Sequence, residues 1–121
     1  MKTRDEIISF IARNKNLFRK EFHITKIGIF GSYAREEQNK VSDLDLIVEF
    51  EDNTQNLYDL KFDLKEFFRS KLGIEVHICR EKFIKPRIKE EILKETLYVT
   101  QAFVPEPTAT KNFVFLQKKP I

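Results

Sequence analysis

The chain has 121 residues, of which 41% are hydrophobic and 34% are charged, with twelve phenylalanines and no tryptophan. This length and composition predict one compact domain with its own core and exclude a disordered chain. The formal net charge of +3 comes from 22 basic and 19 acidic residues mixed along the sequence, so no field of one sign indicates nucleic acid or a membrane surface as a partner.

Cysteine content and the N-terminal segment indicate the compartment. The single cysteine, Cys79, excludes an intramolecular disulfide and a paired-cysteine zinc site, which is compatible with a reducing cytoplasm. The N-terminal residues lack the apolar stretch of a signal peptide, and no run of about 18 apolar residues occurs. We therefore expect a cytoplasmic protein without a membrane span.

The first predicted elements are a helix and a strand that ends at a glycine-serine pair. Thr3 is followed three residues later by a glutamate, which is the spacing of a capping box, and a helical stripe of apolar residues predicts a helix over residues 4–18. Residues 24–30, ITKIGIF, are rich in β-branched and aromatic side chains and predict the first strand. Gly31 and Ser32 then begin a short helix in the polar segment that follows.

Two further strands and two further helices are predicted downstream. Residues 43–50, DLDLIVEF, form the second strand, and the apolar spacing over residues 56–72 predicts a helix. Residues 74–79 form the third strand, and residues 86–99, which begin with a proline, form the last helix. This order predicts an α+β domain, or two-layer α/β domain, in which a small mixed sheet is covered by helices.

The composition changes after Thr100. The segment QAFVPEPTATKNFVFLQKKPI contains prolines, small polar residues, an apolar FVFL stretch and a basic end. We therefore divide the chain into a domain of residues 1–100 and a C-terminal extension of residues 101–121, which could form a tail, a crossing arm or an added edge strand.

Two aspartates, Asp43 and Asp45, begin the second predicted strand. Side chains two residues apart on a strand point to the same face, so the two carboxylates project together from Cα atoms about 6.5 to 7 Å apart. Like charges beside an apolar strand repel each other and lose hydration, and a hard cation would remove both costs. Since Mg²⁺ usually keeps water or substrate phosphate oxygens in its shell, the pair indicates a metal-bound nucleotide.

The turn at Gly31 and Ser32 fits the same interpretation. Glycine permits a close approach of the backbone to phosphate, the first amides of a helix point at an anion, and Ser32 can donate its hydroxyl. An isolated Asp-x-Asp is also typical of a turn that caps a strand. The two motifs together, each beside a predicted strand and ten residues apart, are much more selective, and the chain has neither a P-loop nor a dinucleotide motif.

The stretches FGSYARE and SDLDLIVEF resemble the signature of the DNA polymerase β-like nucleotidyltransferases, most closely that of the minimal nucleotidyltransferases of prokaryotes. The resemblance covers most of the chain and implies the polymerase β-like fold. It also implies that Gly31 and Ser32 hold a triphosphate, and that Asp43 and Asp45 bind two divalent ions, Mg²⁺ or Mn²⁺. Similar proteins are antitoxins paired with a HEPN-domain ribonuclease toxin, and members transfer AMP from ATP to a toxin tyrosine.

One departure from the family pattern affects the catalytic residues. The family usually carries a third carboxylate on the next core strand, where this chain has His77. An imidazole can bind a metal ion or act as a base near pH 7, but it has no negative charge and suits transition metals better than Mg²⁺. We regard His77 as the third catalytic candidate beside the two aspartates. A purely structural role for His77 stays open, as does replacement of the carboxylate by Glu49 or Glu75.

Arg35 is the remaining candidate for the nucleotide site. Its guanidinium could bind a phosphate, whereas a surface ion pair with Glu37 or Glu51 is the alternative. The combined expectation is an antitoxin that uses ATP to add AMP to a hydroxyl, expected to be a tyrosine, of a HEPN toxin in a hetero-oligomer. The alternative is a catalytically weakened protein of the same fold that neutralises the toxin by binding. Neither requires direct binding of nucleic acid or a membrane.

Overall fold

The chain forms helices on both faces of one sheet. The computed structural model describes residues 2–101 and 114–118. Within these residues the helices are α1 (Arg4–Arg13), α2 (Lys15–Phe22), α3 (Gly31–Ala34), α4 (Leu57–Leu72) and α5 (Pro86–Glu95). The strands are β1 (Ile24–Phe30), β2 (Leu44–Phe50), β3 (Val76–Cys79), β4 (Leu97–Gln101) and β5 (Val114–Lys118).

The sheet is mixed, with the strand order β3-β2-β1-β4-β5. Strands β2 and β3 pair in parallel, whereas the other neighbours pair antiparallel. The register places Asp45 of β2 opposite Phe30 at the end of β1 and opposite His77 of β3. The predicted α+β fold with a small mixed sheet is confirmed, and this register brings the ends of three strands together.

The two faces of the sheet have separate apolar clusters, because side chains alternate along each strand. On one face the residues of α1, α2 and α4 pack on the strands, with a group of phenylalanine rings at the centre: Phe10, Phe18, Phe22, Phe67 and Phe68. On the other face Leu93 of α5 packs with Phe30, Ile47 and Tyr98. Asp45 precedes Ile47 by two residues, so it lies on the α5 face.

The predicted first helix, residues 4–18, is divided in two. Helix α1 begins with the predicted capping box, in which Thr3 and Glu6 each bond the other's backbone amide. It ends at Arg13, where the Asn14 side chain donates to the carbonyl oxygen of Phe10. Helix α2 begins at Lys15. The prediction of helix is therefore confirmed, whereas the prediction of one continuous helix is wrong.

The prediction of a helix over residues 86–99 was wrong in its last turn. Helix α5 ends at Glu95, and Thr96 is fully buried with its hydroxyl donating to the carbonyl oxygen of Ile92 at 2.7 Å. Leu97 and Tyr98 pair with β1 as part of β4. The segment TLYV, residues 96–99, has β-branched and aromatic side chains and only a weak preference for helix. Pairing with β1 stabilises it more than another helical turn would.

Part of the C-terminal extension is an edge strand. Residues 114–118 form β5, which pairs antiparallel with β4 and corresponds to the edge-strand alternative. Residues 102–113 and 119–121 of that prediction lie outside the described residues. Among the helices in the described ranges, none is long and apolar enough to cross a membrane.

Candidate active site

Asp43, Asp45 and His77 meet at the ends of β2 and β3. Asp45 is directly opposite His77 in the parallel register, and Asp43 lies just before β2. The Nε2 atom of His77 is 3.2 Å from Oδ2 of Asp43, and its Nδ1 atom is 3.5 Å from Oδ1 of Asp45. The imidazole therefore lies between the two carboxylates that the sequence predicts on one face.

The two ring nitrogens of His77 face different carboxylates, one on Asp43 and one on Asp45. His77 is thus placed where a cation between Asp43 and Asp45 would lie.

Asp45 is the more buried of the two aspartates. Its side chain is 27% exposed, compared with 40% for Asp43. Burial raises the pKa of the Asp45 carboxyl group above its ordinary value, His77 opposes this effect, and the charges of Asp43 and Glu95 add to it. A cation at this position would offset both the lost hydration and the repulsion.

Gly31 brings the turn directly onto Asp45. Its φ angle is +74°, a backbone conformation that favours glycine. A Cβ atom built on Gly31 would lie 2.2 Å from Oδ2 of Asp45, so no other residue fits without displacing the carboxylate. The Gly31 turn and the Asp45 side chain are therefore in direct packing contact.

Ser32 and Arg35 belong to the short helix α3 and its C-terminal end. Ser32 is half-buried in its first turn, and Arg35 follows its last residue. The Arg35 guanidinium donates to Glu37 and to Glu95, each at 2.9 Å. The predicted alternative of an ion pair with Glu37 is present, whereas the role of Arg35 toward phosphate stays a prediction.

Glu95 is a residue of this site that the sequence analysis missed. Its Oε2 atom accepts a hydrogen bond from the backbone amide of Gly31 at 2.7 Å, and its Oε1 atom accepts from Arg35. The sequence feature that indicates Glu95 is the segment TLYV, residues 96–99. Its β-branched and aromatic residues predict a strand, so the preceding helix ends at Glu95. A helix predicted through residue 99 conceals that Glu95 is a terminal residue.

The two glutamates considered as a replacement carboxylate have other partners. Glu75 forms a two-point ion pair with Arg69, with both distances 2.7 Å. Glu49 accepts from Arg80 and from the backbone amide of Glu81. Both carboxylates thus form hydrogen bonds with residues other than Asp43, Asp45 and His77.

A metal ion fits this donor set only in part. In the part of the chain that the structure describes, no group of three or more His, Cys, Asp and Glu side chains is arranged to hold a metal ion. Asp43 and Asp45 supply hard oxygen donors on one face, and such pairs bind Mg²⁺ when substrate phosphates and waters complete the shell. The two aspartates fit a divalent ion that arrives with its nucleotide.

A groove of about 630 Å³ opens beside Asp45 on the α5 face of the sheet. Asp45 and His77 line it, together with apolar residues such as Phe83 and Ile88, which are 70% and 44% exposed. Lys61, Lys85 and Arg87 also line it, and none of the three is in an ion pair within residues 2–101. The groove combines positive charge with exposed apolar surface.

Comparison with known proteins identifies the family of the chain. Residues 11–99 match the family model of the nucleotidyltransferase domain. The protein adenylyltransferase MntA of Thermococcus cleftensis is 36% identical over 100 residues, which cover 82% of this chain and 98% of that relative. A solved structure described as a provisional minimal nucleotidyltransferase has a TM-score of 0.65 and 28% identity over 78% of this chain and 94% of that chain.

A more distant structure shares the fold. It is a toxin–antitoxin complex with AMP-PNP, with a TM-score of 0.55 and 18% identity over 72% of this chain and 70% of that chain. The matched region of this chain contains every candidate site residue from the turn to His77. The chain therefore belongs to the nucleotidyltransferase domain family and has the fold of its minimal nucleotidyltransferases.

Proposed function

We propose that this protein transfers AMP from ATP to a tyrosine hydroxyl of a HEPN-type ribonuclease toxin and acts as its antitoxin in the cytoplasm. The observation that carries the proposal is the contact of the Gly31 turn with the Asp45 carboxylate, with Asp43 and His77 beside it. The name of the Thermococcus relative supports AMP as the transferred group. The toxin–antitoxin complex with AMP-PNP, a structure of the same fold, agrees with ATP and a toxin as partners.

The proposed reaction is an in-line displacement at the α-phosphorus of ATP. The acceptor hydroxyl oxygen forms a bond to this phosphorus while the bond to the β-phosphate oxygen breaks, and pyrophosphate leaves with the bonding electrons. A Mg²⁺ or Mn²⁺ ion bound by Asp43 and Asp45 would supply neutralisation of the phosphate charge. Gly31 and Ser32 hold the triphosphate next to these carboxylates, and Arg35 lies one turn away to neutralise the departing pyrophosphate.

His77 takes the place of the third carboxylate in this proposal. A ring that contacts both aspartates holds their side chains in one orientation. As a base it would take the proton of the acceptor hydroxyl, because His77 lines the groove that we assign to the acceptor. The positive and apolar wall of the groove suits an acceptor segment with acidic and aromatic side chains.

The test is the intact mass of the toxin encoded beside this protein, after incubation with ATP and Mg²⁺ or Mn²⁺. We expect added AMP units, and a rate at least about 100-fold lower for Asp43→Asn or Asp45→Asn, because even the outer partners of metal ligands contribute about 10- to 100-fold. Asp52→Asn, an exposed aspartate in the turn after β2, is the matched control and should retain the rate.

A second function, neutralisation by binding alone, is favoured by one observation. His77 occupies the space between the aspartates and brings no negative charge for a metal ion. If this function is correct, the natural protein adds no AMP, Asp43→Asn still neutralises the toxin, and His77→Asp creates transfer. Transfer by the natural protein that Asp43→Asn abolishes together with neutralisation excludes it.

A further inference from the structure

Glu95 connects the end of α5 to both ends of α3. One carboxylate oxygen accepts from the Gly31 backbone amide at 2.7 Å, and the other accepts from the Arg35 guanidinium at 2.9 Å. Gly31 is the first residue of α3, and Arg35 follows the last. A single side chain, 26% exposed, therefore contacts both ends of the turn that carries the nucleotide motif.

Helix α3 needs such a contact because of its length. It has four residues, and an isolated helix that short does not form in water, since its nucleation is unfavourable. Its N-cap residue, Phe30, has no side-chain hydrogen bond to the helix. The Glu95 carboxylate instead accepts from the first amide, which gives the turn a charged hydrogen bond from outside the helix.

The position of this amide has a consequence for Asp45. Gly31 lies so close to Asp45 that a Cβ atom would be 2.2 Å from its carboxylate oxygen, and a small shift of the peptide before Gly31 changes the distance between the two motifs. We propose that Glu95 is a positioning residue, which holds the Gly31 turn against Asp45 in the geometry that receives the nucleotide. The effect of Glu95 on nucleotide binding rests on the proposed function, whereas its stabilisation of the Gly31 turn does not.

The chemistry of the side chain predicts a graded effect of substitution. Glutamate has two acceptor oxygens for two donors, whereas glutamine has one acceptor and an amide group that would face Arg35. Glu95→Gln should therefore keep one contact and Glu95→Ala neither. Glu91→Ala is the matched control, because Glu91 lies one turn earlier on α5, is exposed, and has no ion pair within residues 2–101.

The experiment measures binding of AMP-PNP with Mg²⁺ by calorimetry, the steady-state constants for ATP, and exchange of the Gly31 amide proton by NMR. For Glu95→Ala we expect about tenfold weaker binding and a similar rise in KM, because a charged hydrogen bond is lost. We expect kcat to change by less than about threefold, since the aspartates and His77 stay in place. Glu95→Gln should fall between Glu95→Ala and the natural protein, and Glu91→Ala should match the natural protein.

Three results would overturn the inference. The first is an unchanged affinity and KM with a lower free energy of unfolding, which would make Glu95 a structural residue only. The second is tighter binding of AMP-PNP, which would mean that the carboxylate competes with the phosphates. The third is Gly31 amide exchange that does not accelerate in Glu95→Ala. If the natural protein binds no nucleotide, the proposed function fails. In that case, faster exchange of the Gly31 amide proton in Glu95→Ala but not in Glu91→Ala still supports the stabilisation of the turn by Glu95.

Discussion

A comparison of two glycines distinguishes the cost of backbone strain from the effect of a close contact with a neighbouring side chain. Gly31 and Gly73 have nearly the same positive φ angles, +74° and +68°. A Cβ atom on Gly31 would overlap with Asp45, whereas one on Gly73 would meet nothing within 4 Å. Substitution by alanine therefore imposes similar backbone strain at both positions but displaces a carboxylate at only one.

We expect Gly73→Ala to lower the free energy of unfolding by about 1–2 kcal/mol and to leave AMP transfer unchanged, since it adds only left-handed strain. Gly31→Ala should also reduce kcat/KM for transfer on the order of 100-fold, because a displacement of about 1 Å at reacting groups has an effect of that size. Urea unfolding and the transfer rate are measured on both variants. Equal transfer rates in the two variants would contradict the importance of the Gly31 contact.

At the scale of elements, a network of hydrogen bonds and an ion pair between polar side chains connects the loop after β3 to the sheet. The loop contains a 3-10 turn, Glu81–Phe83, and the Tyr98 hydroxyl donates to Oε2 of Glu81 at 2.5 Å. Lys26 of β1 contacts the same oxygen at 3.2 Å and lies 4.5 Å from the centre of the Tyr98 ring. This loop forms a wall of the groove next to His77, so the network links stability to the shape of the site.

The network predicts a loss of stability in alkali. Burial, the hydrogen bond to Glu81 and nearby negative charge raise the pKa of Tyr98 in the folded protein. A phenol whose folded pKa exceeds its unfolded value of about 10 stabilises the protein below that pH, and this contribution is lost as the pH rises further. We expect the urea midpoint to fall above about pH 10, and to fall less steeply in Tyr98→Phe.

Tyr58 is the matched control for this experiment. Its side chain is 83% exposed on α4, so Tyr58→Phe should show the same alkaline slope as the natural protein. The same slope in Tyr98→Phe as in the natural protein would show that the Tyr98 phenol does not couple to unfolding.

At the scale of the whole molecule, stacked and edge-to-face phenylalanine rings join the two N-terminal helices to α4. Phe68 is fully buried and contacts Phe10 and Phe18, with ring centroids 5.4 and 5.9 Å apart. These helices cover the face of the sheet opposite α5. The core on this face thus supports the strands whose ends carry the site.

We expect Phe68→Ala to lower the free energy of unfolding by about 3–5 kcal/mol, because it leaves a cavity among the rings. Phe62→Ala, which removes a ring that is 55% exposed on the same helix, should change it by less than about 0.5 kcal/mol. Urea unfolding followed by circular dichroism measures both. Phe68→Leu keeps most of the volume and gives a folded protein for comparison if Phe68→Ala does not fold.

The sequence by itself determined the motif and most of the elements. The Gly31 and Ser32 turn, the alternation of Asp43 and Asp45, and the apolar stripe of α4 are local patterns, so they can be read without a partner strand. A small sheet covered by helices follows from the order of these elements. The capping box of α1 was predicted for the same reason, since its two hydrogen bonds join residues three apart.

Only the tertiary structure decided the features that depend on distant residues. The end of α5 at Glu95 results from the pairing of β4 with β1, and the contact of Glu95 with Gly31 joins residues 64 positions apart. His77 lies between the aspartates because β2 and β3 pair in parallel with Asp45 opposite His77. Local preferences indicate which elements form, whereas strand register and the packing of α5 determine which side chains meet at the site.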